Sequence, residues 1–94
     1  MKLISNRPLR EFAEIHPDAE LPLQSWRRLI EHGDYASFAA LRLTFGSVDK
    51  VKQRFVFNIG GNKYRLVAAI AFRPRIVWVK AVLTHAEYDK GDWQ

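Results

Sequence analysis

The chain has no cysteine, one methionine and four prolines. Without thiols it can form neither a disulfide nor a thiolate metal site, and that composition fits a reducing cytoplasm. Long apolar runs are missing too. The opening "MKLISNRPLREF" is too short in apolar residues for a signal sequence or a membrane span, so the expectation is a soluble protein inside the cell with no membrane partner. No repeat, linker or low-complexity segment interrupts the 94 residues, which suit one domain over 1–94. What is present is enough for a core: 48% of residues are apolar and 13% aromatic, which argues against disorder.

Charge is unevenly placed. Residues 1–47 carry six basic and six acidic side chains, whereas residues 48–94 carry nine basic and four acidic, so the whole net charge of +5 lies in the second half. Such asymmetry points to a polyanionic partner, nucleic acid or an acidic protein, or else to a solvated basic surface.

The apolar spacing reads first as helix and then as strand. "MKLIS" is a short strand candidate, followed by a helix with Leu9, Phe12 and Ala13 on one stripe and Pro17 at its end. Asp18 can cap a second helix whose shared face holds Leu23, Trp26, Leu29 and Ile30, with Gly33 as its stop. Asp34 opens a short third helix with Phe38, Leu41 and Phe45 inward. From residue 48 the period shortens. "RFVFNI" alternates, with Phe55, Phe57 and Ile59 on one side and Arg54, Val56 and Asn58 on the other; "KYRLVAAIAF" and "RIVWVKAVLT" follow as longer runs. Gly60-Gly61-Asn62 and Arg73-Pro74 supply the turns. A phosphate-binding loop at the two glycines is excluded by the strand that follows, because such a loop needs a helix N-terminus there. The expectation is an α+β fold: a small antiparallel sheet, made of an N-terminal strand and a three-stranded C-terminal meander, with two to three helices on one face and the other face open and polar.

Polar side chains for that open face or its rim are Arg54, Asn58, Lys63, Arg65, Lys80 and His85. A charge set within a β-rich run, as at Arg65 and Lys80, wants solvent, an acidic side chain or an anionic ligand. The closing "THAEYDK" adds His85, Glu87, Tyr88, Asp89 and Lys90. Together these types suffice to cleave RNA with no cofactor and no metal. The substrate's 2′-hydroxyl attacks the adjacent phosphate while a base takes its proton, an acid protonates the leaving oxygen and cations offset the developing charge. His85 and Asp89 have i, i+4 spacing but no accompanying His or Cys cluster for a metal. A Ser/His/Asp arrangement is poorly supported, since Ser5, Ser25, Ser37 and Ser47 all lie in caps, helices or loops of the first half. A lone histidine after a strand also serves as a helix cap or a surface group. His16 and His32 read as structural groups near helix C-termini, Trp26 and Trp78 as core, Tyr64 as packing, and Trp93 as a tail residue that docks on a partner.

Taken together, "MKLIS…LREFAEIHPDAE", "LQSWRRLI", "FVFNIGGNKYRL" and "THAEYDK" resemble the HigB-type toxins of bacterial toxin–antitoxin modules, a branch of the RelE-like messenger-RNA interferases. The resemblance runs nearly end to end and is most specific in the last two strings. It implies a small α+β toxin that cuts messenger RNA, usually on the translating ribosome, in the bacterial cytoplasm, and that is neutralised by a HigA-type antitoxin carrying a helix-turn-helix domain. By motif match, Arg65 of "NKYRL" is expected to stabilise the phosphate. His85, Tyr88 and Asp89 of "THAEYD" form the expected proton-transfer group, with Lys90 an added cation and Arg54, Asn58, Lys63 and Lys80 as RNA contacts. The alternative from another class is a non-enzymatic RNA- or ribosome-binding module that blocks translation.

Overall fold

The computed structural model describes residues 1–93. Its elements are β1 (Lys2–Ile4), α1 (Arg7–Ile15), a 3-10 turn (Pro17–Ala19), α2 (Glu20–His32), α3 (Phe38–Thr44), β2 (Asp49–Val51), β3 (Arg54–Ile59), β4 (Tyr64–Ala71), β5 (Ile76–Thr84) and α4 (His85–Lys90). The class is α+β, as expected, around one five-stranded sheet ordered β1-β5-β4-β3-β2.

The sheet departs from the expectation in two ways. It is mixed, because β1 pairs parallel with β5 through Lys2↔Ile76, Leu3↔Val77 and Ile4↔Trp78. Between β1 and β2, α1 to α3 carry the chain from one edge of the sheet to the other. The second departure is β2, a strand too short to show a period, which joins β3 through a two-residue turn at Lys52-Gln53. Only β2 to β5 form the antiparallel meander.

The core lies between the helices and one face of the sheet. Alternation delivers Phe55, Phe57 and Ile59 from β3, Tyr64, Leu66 and Ala68 from β4, and Val77 from β5 to this face. Leu9 and Phe12 of α1 and Leu23, Trp26 and Ile30 of α2 meet them. Phe57 is the anchor, edge-on to Trp26 at 5.3 Å and to Phe45 at 5.1 Å. Burying a side chain of this size contributes roughly 1.5–3 kcal/mol. Leu29 does not share the stripe: Leu23, Trp26 and Ile30 at i, i+3 and i+7 suffice to face the sheet, and Leu29 is 46% exposed beside them. Trp78 is only half-buried, on the opposite side of β5 from Val77. The third helix begins at Ser37, whose hydroxyl accepts the Ala40 N–H at 3.1 Å. Asp34, expected at that start, pairs instead with Arg75.

Two features of the sheet position the other face. In β5 the register passes from Val67↔Ala81 to Ala68↔Val79, leaving Lys80 as the extra residue of a bulge. The bulge reverses the alternation, so Val79 and then Val82 turn to the core, and "RIVWVKAVLT" shows no clean period. The second feature is that the far face is not wholly open. Val56 and Val67 oppose each other there and are 4% and 0% exposed. The chain after β5 stays on this side: α4 follows β5 directly, and Trp93 lines one groove with Ala81 and Leu83 and another cleft with Val51 to Arg54. The far face therefore has an apolar centre and a polar rim.

Candidate active site

The segment expected as a polar tail is a helix. Thr84 accepts the Glu87 N–H at 3.2 Å through its hydroxyl, and the Glu87 carboxylate accepts the Thr84 N–H at 2.9 Å, a reciprocal capping box. That Thr84 N–H, with the Thr84 hydroxyl beside it, holds the Glu87 carboxyl below the usual carboxylate range. At the other end Gly91 sits in the left-handed region at φ 78°, where its N–H bonds the Tyr88 carbonyl at 3.1 Å. Thr84-x-x-Glu87 and Gly91 are the sequence signals that mark this helix.

Helical spacing then groups the expected proton-transfer residues. His85 and Tyr88 are three apart and His85 and Asp89 four apart, so all three share one side of α4. His85 Nδ1 lies 3.1 Å from Asp89 Oδ2. With Nδ1–H donating to that carboxylate, Nε2 is the ring's acceptor and the imidazole is held in one orientation. Tyr88 is half-buried, its ring parallel to Trp93 at 4.9 Å and 14°. Trp93 Nε1 donates to the Tyr88 carbonyl at 2.9 Å, pinning the indole.

Arg65 reaches this helix from the sheet. On β4 it stands opposite Asn58 of β3 and Leu83 of β5, on the face away from the helical core. Its guanidinium carbon lies 5.6 Å from the Tyr88 ring centroid. The guanidinium donates to the Asn62 carbonyl at 3.2 Å, the Tyr64 carbonyl at 3.2 Å and Asn62 Oδ1 at 2.6 Å. All three acceptors are neutral, so the fork is fixed, and among the described residues no carboxylate pairs with it.

The remaining expected residues divide. Arg54 and Asn58 share the face of Arg65, Arg54 half-buried and Asn58 exposed. Lys90, in the last turn of α4, lines the groove with Ala81, Leu83 and Trp93. Lys80 is exposed at the bulge. Lys63 is not gathered with them: it pairs at the surface with Asp18 of the 3-10 turn, and Tyr64 donates its hydroxyl to the same carboxylate at 2.7 Å. Those two donors lower the Asp18 pKa, and the carboxylate raises those of Lys63 and Tyr64. The contacts of Asn62 with Arg65 and of Trp93, read as a tail residue that docks on a partner, with Tyr88 are not foreseen in the sequence. Asn62 reads in the sequence only as a turn residue, and a lone aromatic after a short helix carries no periodic signal. Among the described residues no three His, Asp or Glu side chains gather to hold a metal ion.

Residues 19–91 match the model of a family described as HigB toxin, the RelE-like toxic component of a toxin–antitoxin system. The chain belongs to the HigB toxin family. Over 93 residues it is 37% identical to the mRNA interferase HigB of Escherichia coli O6:H1 (strain CFT073), which covers 96% of this chain and 90% of that protein. It is 34% identical over 92 residues to the mRNA interferase toxin HigB of Escherichia coli K12, covering 95% and 88%, and to the mRNA interferase HigB of Shigella flexneri over the same shares. The HigB match spans α2 to α4, and so takes in Arg65 and the whole of the His85–Tyr88–Asp89 group. Trp93 lies just beyond it.

Proposed function

We propose that this HigB-family chain is an endoribonuclease that cuts messenger RNA on the translating ribosome without a metal. The observation that carries the reading is the Arg65 guanidinium, which no carboxylate pairs among the described residues, lying against the Tyr88 phenol of α4, with the carboxylate-oriented His85 imidazole on the same side of that helix. The 2′-hydroxyl oxygen bonds to phosphorus as its proton passes to a base on α4. The bond from phosphorus to the 5′ oxygen then breaks, that oxygen takes a proton from an acid, and a cyclic 2′,3′-phosphate remains. Arg65 offsets charge on the phosphoryl oxygens, and its fork suits two of them at once. His85, Tyr88 and Asp89 carry the proton transfers between them, with Arg54, Asn58, Lys80 and Lys90 along the strand of RNA. Lys63 is left to its pairing with Asp18.

The same reading gives the chain a RelE-like fold, a place in the bacterial cytoplasm and a HigA-type helix-turn-helix antitoxin as partner. No helix of the described residues is long and apolar enough to cross a membrane. Primer extension on a reporter transcript after induction tests the activity. Discrete new 5′ ends within the reading frame are expected, and their loss on Arg65→Ala or His85→Ala. Growth arrest with intact transcripts would instead favour a toxin that binds and blocks.

A further inference from the structure

One cleft on the far face belongs to none of the residues placed at the proton-transfer group. It measures about 270 Å³ and is lined by Val51, Lys52, Gln53, Arg54 and Trp93. We infer that this cleft is a nucleobase subsite: Trp93 stacks the base, Gln53 reads its edge, and Lys52 and Arg54 hold the flanking phosphate. The inference rests on the nuclease reading for its substrate class, but the cleft stands on its own geometry.

Trp93 is pinned before any ligand arrives. One face of its ring stacks on Tyr88, and its only polar side-chain atom is already bonded to the Tyr88 carbonyl. Tyr88 does not line the cleft, so the cleft meets parts of the indole that Tyr88 leaves free. An aromatic surface fixed in this way stacks a base at little entropic cost, and it accepts any base because each has a π face. The column Arg65–Tyr88–Trp93 also joins the cleft to the phosphate site: Arg65 lies on one member and the cleft on the last. A base in the cleft therefore belongs to a nucleotide close to the bond that is cut.

The opposite wall supplies discrimination and charge. Lys52 and Gln53 form the two-residue turn between β2 and β3, with Lys52 in the left-handed region at φ 57°. That turn is closed by the Val51↔Arg54 pair, so all four wall residues are held by one hairpin. Gln53 is exposed at its tip. Its amide carries a donor and an acceptor side by side, the pattern that pairs with a base edge. Two cations flank it, as the phosphates on either side of a base require.

Two measurements test the subsite. The first uses the purified chain with short single-stranded oligoribonucleotides made uncleavable by 2′-deoxy substitution, read by tryptophan fluorescence. Wild type should be quenched on binding. Trp93→Phe should lose the quenching yet bind, and Trp93→Ala should bind about tenfold more weakly. Quenching that persists in Trp93→Phe, or unchanged affinity in Trp93→Ala, overturns the proposal. The second maps 5′ ends across transcripts after induction. Gln53→Ala, a surface change outside the core, should reduce the base preference at one position beside the cut by about tenfold while cleavage continues. A profile identical to wild type overturns the role of Gln53. The two readings fail separately: a chain that binds and quenches but cuts nothing refutes the nuclease, whereas one that cuts with unchanged rate and profile after Trp93→Ala refutes the cleft.

Discussion

Lys63 and Arg65 are two residues apart, and the fold treats their charges in opposite ways. Lys63 lies on the helical side of the sheet and is neutralised by Asp18, a carboxylate it shares with the Tyr64 hydroxyl. Arg65 faces the other side and, among the described residues, is held by carbonyl and amide oxygens alone. The tyrosines beside them differ in parallel. Tyr64 is buried and edge-on to Phe12, whereas Tyr88 is half-exposed between a guanidinium and an indole. A cation that only ties two layers together is given a counter-ion. For the phosphate role proposed for Arg65, an acidic neighbour would be a handicap, because it would weaken the pull of the guanidinium on the ligand.

The sharpest way to break this contrast is to remove each cation in turn. Arg65→Ala is expected to lower transcript cleavage about 10²- to 10³-fold, the usual cost of losing one preorganised stabiliser of transition-state charge. Arg65→Lys should restore little, since a point charge cannot reproduce the fork. Lys63→Ala should leave cleavage within a few-fold of wild type and lower the midpoint of thermal unfolding slightly, as exposed ion pairs contribute little. Primer extension for the first two and a thermal melt for the third check the pair. Equal losses of cleavage at both positions would erase the distinction.

A smaller effect separates the two kinds of histidine. His85→Ala should reduce cleavage about a hundredfold, in the range for a lost proton-transfer group. His16, half-buried at the C-terminal end of α1, packs on Phe12 at 4.5 Å and 29°, and His16→Gln should act on stability alone. If His16→Gln abolishes cleavage in a chain that melts like wild type, then the proton-transfer group has been drawn on the wrong side of the sheet.

Much of this layout was legible in the residues, for reasons that also explain the misses. Phe55, Phe57 and Ile59 alternate because β3 has one face in the core, and Leu23, Trp26 and Ile30 repeat because α2 has one stripe on the sheet. Periodicity says nothing of which strand neighbours which, so the parallel β1–β5 pairing and the edge strand β2 were out of reach. In β5 the bulge at Lys80 and the cover over the far face remove the alternation. The six residues of α4 are too few for a hydrophobic period, yet their end signals were readable at Thr84, Glu87 and Gly91. The same limit applied to the site. His85, Tyr88, Asp89 and Arg65 are proposed on residue type and resemblance. Their grouping depended on α4 being a helix, and the place of Trp93 depended on the turn that leaves it.

That dependence can itself be tested by comparing two caps. Thr84 caps α4 and Ser37 caps α3, each through a hydroxyl on a backbone N–H. Replacement by alanine costs a helix about 1 kcal/mol. A six-residue helix has no independent stability, so Thr84→Ala should depopulate α4 and reduce cleavage by about fivefold. Ser37→Ala should lower the unfolding midpoint by a similar free energy and leave the cleavage rate of the folded chain unchanged. Cleavage that falls equally in both variants would mean that global stability, and not the order of α4, limits the reaction.

The smallest expected effect lies in acid and turns on Glu87. Its carboxyl is held below the ordinary range because the ionised form accepts the Thr84 N–H. A depressed carboxyl stabilises the fold fully above its unfolded value, and that contribution is lost as pH falls through the lower folded value. Asp18 and Asp34 are depressed as well, each by its own basic partner, so the helical side also weakens in acid. The two sides can be told apart because Glu87→Gln keeps an acceptor for the Thr84 N–H but cannot titrate. In wild type the near-ultraviolet circular dichroism of the Tyr88–Trp93 stack, isolated by difference from Trp93→Phe, should fade below the ordinary carboxyl range. In Glu87→Gln that signal should persist until the helical side unfolds. If both chains lose the stack at the same pH, α4 is held by the body of the protein and the capping box does not govern its release.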